Sequence, residues 1–84
     1  MDGQDGWTVD LSTWTTMEPI IAWREKAGVM DIVGMNDIMA GVIQAWPCEG
    51  DPHDPAAYRK LSPTQWAECV KRVGNATSTF FRGT

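Results

Sequence analysis

Cys48, Glu49, Asp51, His53 and Asp54 lie within seven consecutive positions, and all five side chains are of types that ligate metal ions. Their spacing argues for a turn instead. Pro47, Pro52 and Pro55 stiffen the run, the glycine and terminal glutamate of a calcium loop are missing, and no second histidine or cysteine stands nearby. A solvated loop without metal is the expectation. His53 is the single histidine, so a nucleophilic thiol would have to pair it with Cys48 or Cys69, a geometry that spacing does not dictate. Phosphate-cradling glycine runs and the HExxH and GxSxG patterns are absent from the sequence. With 84 residues leaving little volume for a catalytic pocket, we expect no catalysis and no cofactor.

Binding is better represented. Five tryptophans and five methionines exceed what so small a core requires, and both types are enriched at protein interfaces. The residues expected to contact a partner are Trp7, Trp14, Met35, Met39, Trp46, Trp66, Phe80 and Phe81. A structural reading stands beside this one, in which Trp23, Trp46 and Trp66 form the core and Trp7 and Trp14 anchor the N-terminal segment.

The net charge of −4 disfavours nucleic acid as that partner, because phosphate binding needs clustered lysine and arginine. The charge is uneven: residues 1–50 hold eight acids against two bases, and residues 51–84 hold five bases against three acids. Such asymmetry can align copies head to tail in a homo-oligomer. The longest helical apolar stretch, Val29 to Trp46, is interrupted by Asp31, Asn36, Asp37 and Gln44, so no membrane span is expected. The acidic start Met1-Asp2-Gly3-Gln4-Asp5-Gly6 is unlike a secretion signal, and two distant cysteines are expected as free thiols in a cytosol.

The elements that must position these residues are mostly helical. Residues 1–11 have no helical period and read as an extended arm, in which Trp7, Val9 and Leu11 alternate onto one face. Thr15 and Glu18 are spaced as a capping box for a first helix that runs to about Lys26, with Gly28 placed to end it in the left-handed conformation. A second, central helix should start at Val29 to Asp31 and bury Ile32, Met35, Ile38, Met39, Val42, Ile43 and Trp46, with Gly34 and Gly41 allowing close contact or a bend. Pro47 stops it. Asp54 and Pro55 open a short turn carrying Tyr58, and Ser62-Pro63-Thr64-Gln65 is a strong start signal for a last helix to about Thr79. The fold expected is all-α, a small domain of three to four helices over residues 12–84 preceded by the arm.

The segment Ala45-Trp46-Pro47-Cys48-Glu49-Gly50-Asp51-Pro52-His53-Asp54-Pro55-Ala56-Ala57-Tyr58, followed by Leu61, Gln65-Trp66 and a helix ending Phe80-Phe81, resembles tail assembly chaperones of long-tailed phages and gene transfer agents. The likeness covers roughly residues 30–81 and rests on helix punctuation. It implies a helical protein that binds the tape measure protein, or another phage tail protein, in the host cytoplasm and keeps it soluble during tail morphogenesis. It also implies that a longer frameshifted form can exist and that the finished particle lacks the protein. Two rival expectations are a small acidic inhibitor of a host defence or nucleic-acid enzyme, and a structural virion or neck component.

Overall fold

A computed structural model describes residues 6–82, the last three by their backbone alone. The order is β1 (Thr8–Val9), α1 (Glu18–Gly28), α2 (Ile32–Val42), β2 (Ile43–Ala45), α3 (Pro55–Tyr58) and α4 (Pro63–Arg82). The chain is therefore mostly helical, with one two-stranded sheet that the all-α expectation omitted. Among the described residues no helix is long and apolar enough to cross a membrane.

The sheet arises where α2 was expected to continue. Ile43 is extended (φ −81°, ψ 114°), ending the helix at Val42, four residues before the anticipated Trp46. In a longer helix the Val42 carbonyl would accept from the Trp46 N–H; here it accepts from Asp10 N at 2.8 Å. β1 and β2 are antiparallel, Thr8 opposite Ala45 and Val9 opposite Ile43, with a register irregularity that passes over Gln44. Part of the arm is thus a docked strand: Trp7 is buried, and Val9 and Leu11 pack half-buried on the same core. Residues 1–5 of the expected arm lie outside the described residues.

Local signals set most helix ends. Ser62 Oγ accepts from Gln65 N at 3.2 Å while Gln65 Oε1 accepts from Ser62 N at 3.0 Å, the reciprocal capping box that the sequence predicts. Asp54 caps α3 through Ala56 N at 3.0 Å, ahead of Pro55 in its first turn. At α1 the expected cap by Thr15 is not formed; Met17 takes that position without a side-chain bond, and Thr16 Oγ1 accepts weakly from Glu18 N at 3.4 Å. Its far end also departs from expectation. Gly28 stays helical, and Met30 takes the left-handed conformation (φ 54°). There Asp31 N donates to Lys26 O at 2.8 Å and Met30 N to Ala27 O at 3.2 Å, the paired closure of a Schellman motif with methionine where glycine is usual.

The core joins all these pieces. Ile20 and Trp23 of α1, Met35, Met39 and Val42 of α2, Ile43, Tyr58, and Cys69 and Val73 of α4 form one buried cluster with Trp7, Trp14 and Trp46. Each large apolar side chain buried there contributes about 1.5–3 kcal/mol. Gly34 allows the close approach of α1 to α2: a methyl group at its position would lie 2.8 Å from Lys26 Cδ and 2.7 Å from Asp31 Oδ2. Gly41 has open space around it, so the tight contact expected there is absent.

Candidate functional site

The loop after β2 folds over one aromatic pair. Trp46 turns inward and stacks on Tyr58 with ring centroids 4.7 Å apart, tilted by 51°. Its indole N–H donates to Gly50 O at 3.0 Å, and the Tyr58 hydroxyl donates to Pro52 O at 2.7 Å. Gly50 adopts φ 91°, which lets its carbonyl turn back to the indole. Asp51, His53 and Asp54 are drawn into the loop's own bonding. Asp51 Oδ1 accepts from His53 N at 2.9 Å and lies 3.1 Å from His53 Nδ1, while His53 Nε2 lies 2.9 Å from Gln44 Oε1. Among the described residues no three His, Cys, Asp or Glu side chains are grouped to hold a metal ion.

Neither thiol is activated. Burial pushes the Cys69 pKa up to about 12 and raises that of Cys48, so both stay protonated at neutral pH and are weak nucleophiles. Burial likewise raises the Tyr58 phenol.

The tryptophans and methionines expected at a partner surface mostly serve the interior. Trp7, Trp14, Met35, Met39 and Trp46 are between 0 and 9% exposed, because the docked β1 segment, α1 and the loop close over them. Arg72, paired with Glu68 at 2.7 Å, lies 5.3 Å over the Trp7 ring. Phe80 and Phe81 lie on the last turn of α4, and their side chains are outside the described residues. Among the described side chains of the set, Trp66 reaches an open surface, half-buried at the start of α4.

That surface is a groove of about 550 Å³ between the first turn of α2 and the turn from α3 into α4. Its walls are Ile32 and Val33 on one side and Leu61, Pro63 and Trp66 on the other. Ile32 was expected in the core but is 50% exposed, since the buried face of α2 begins one turn later at Met35. At the groove stands Asn36, 3% exposed, whose Oδ1 accepts from Trp66 Nε1 at 2.7 Å. An indole nitrogen can only donate, which identifies the bonded Asn36 atom as the oxygen and leaves the amide NH2 outside that bond. The single charged residue lining it is Arg59, exposed and without an ion pair among the described residues.

Beside the groove, the α1–α2 turn carries more apolar surface: Val29 is 78% exposed, Met30 62% and Val33 54%. A second outward ridge lies at the start of α1, where Met17 at the N-cap and Ile21 are each 50% exposed. The readable signal was an excess of apolar residues around the start of α2, where Val29, Met30, Ile32 and Val33 together cover more than the width of one buried stripe.

No protein-family model, curated protein or solved structure matches the chain. Its chemistry must be read from its own surface. The groove and the α1–α2 turn are its largest runs of exposed apolar side chains among the described residues.

Proposed function

We propose that this chain is a tail assembly chaperone of long-tailed phages, which acts in the host cytoplasm by binding the tape measure protein and keeping it soluble, without catalysis. One observation carries the reading: Val29, Met30, Ile32 and Val33 form a run of apolar side chains, each at least half exposed, around the α1–α2 turn. Clustered exposed apolar groups are costly in an isolated small protein and mark a surface meant for another chain. Met30 strengthens the point. Its left-handed backbone costs a non-glycine residue about 1–2 kcal/mol, and the chain carries that strain where it projects a flexible thioether outward. A methionine-bearing surface adapts to varied apolar sequence, which suits a chaperone that engages a long client at many points.

The test is co-expression with a tape measure protein of a long-tailed phage. The wild-type chain should raise the soluble fraction of that client severalfold and co-purify with it. Val29→Asp, at a site so exposed that folding is unaffected, should return the client to the insoluble fraction. No gain in solubility with the wild-type chain refutes the reading.

A further inference from the structure

We propose that the groove between α2 and the start of α4 binds a second copy of this chain, receiving the Met17–Ile21 ridge of its neighbour's α1 so that copies join head to tail. The proposal stands on the two surfaces alone and holds whatever the client is.

The groove asks for an apolar ligand that brings a negative charge. Its walls are Ile32, Val33, Leu61, Pro63 and Trp66, while its polar features are the amide NH2 of the nearly buried Asn36 and the guanidinium of Arg59. Asn36 has one oxygen lone pair engaged by Trp66, and its NH2 supplies two donors. Two donor groups, one of them cationic, in an apolar trough match a carboxylate flanked by apolar side chains.

The chain presents that combination elsewhere. Ile21 N donates to Met17 O at 2.9 Å, which stacks these two half-exposed side chains one helical turn apart on α1. Glu18 lies between them in sequence, exposed and without an ion pair among the described residues. A single copy cannot satisfy itself: α1 spans 11 residues, about 16 Å of rise, and the groove wall begins beyond its far end. The contact therefore falls between different patches of two molecules, a heterologous interface that adds copies in one direction. It also brings Glu18, from the acidic portion of one copy, to Arg59, from the basic portion of the next.

Light scattering after size exclusion tests this with the whole chain. Wild-type protein should show a mass that rises with concentration above 9.3 kDa. Ile21→Asp destroys the ridge and Val33→Asp the groove, both at exposed positions, and each variant alone should remain monomeric. Mixed in equal amounts they should form a dimer and nothing larger, because each supplies the surface the other lacks. Glu18→Lys and Arg59→Glu should each weaken self-association by about tenfold, and the two changes combined in one chain should restore it. A monomeric wild type at every concentration overturns the proposal, as does a pair of single variants that still oligomerise separately or fail to dimerise when mixed. Val29 lies outside the groove whereas Val33 belongs to both surfaces, so the readings are separated by Val29→Asp, which should lose client solubilisation yet still self-associate, and Ile21→Asp, which should lose self-association yet still solubilise the client.

Discussion

Trp66 and Asn36, thirty positions apart, are joined by a 2.7 Å hydrogen bond from the indole N–H of α4 to the side-chain oxygen of α2. The bond fixes the start of α4 against α2 and also sets which way the Asn36 amide faces. One contact therefore holds two helices together and decides the polarity of the groove beside it.

Trp66→Phe keeps an aromatic ring at the groove wall but deletes the only donor that Asn36 Oδ1 has among the described residues. A buried acceptor left unpaired costs about 1–3 kcal/mol. Urea unfolding should show a loss in that range with an unchanged m-value. A loss below about 0.5 kcal/mol would mean that water replaces the indole there.

Met30→Gly should stabilise the fold by about 0.5–1 kcal/mol, since glycine adopts the left-handed conformation at the α1–α2 turn without steric cost. The measurement is the thermal midpoint. Under the proposed function the same change should weaken client binding, because it removes a methionine that is 62% exposed.

The two α2 glycines should respond differently to alanine. Gly41→Ala places a methyl group in open space and should gain up to about 1 kcal/mol from helix propensity. Gly34→Ala should show no such gain, because its methyl group collides with the Lys26 stem and with the Asp31 carboxylate that caps α2. Paired denaturation curves decide this.

Stability should fall in alkali. The Cys69 thiol titrates near 9.0 ordinarily and near 12 in the fold, so above pH 9 the unfolded chain releases a proton that the folded chain retains. This contribution is fully present below pH 9 and is lost as the pH climbs towards 12. Tyr58, also raised by burial, adds to the decline from about its ordinary 10.0. Urea midpoints measured from pH 7 to 11 should drop above pH 9, and Cys69→Val should flatten the first part of the drop. An unchanged profile in that variant would show that Cys69 titrates normally.

Those helix ends that depend on residues within a few positions of each other could be read from the chain directly. Ser62 with Gln65, Asp54 with Pro55, and the proline-rich run from Pro47 act through side-chain caps and missing N–H groups, and they act the same way in any tertiary setting. The buried stripe of α4, with Cys69 and Val73, was legible from helical period for the same reason. Trp66, read from the sequence both as core and as partner contact, is half-buried at the groove, and the exposure of Val29, Met30 and Val33 was not anticipated.

What tertiary structure decided was which of two locally acceptable outcomes prevailed. α2 ends at Val42 because Asp10, thirty-two positions earlier, offers an N–H to its carbonyl, and β-branched Ile43 is content in a strand. The same docking covers Trp7, so tryptophans that composition assigns equally well to interface or interior become core. Ile32 and Val33 stay exposed because α3 and α4 meet α2 beyond its first turn, leaving a groove. Periodicity shows how many faces of a helix are apolar, but which of them is covered depends on where distant elements pack.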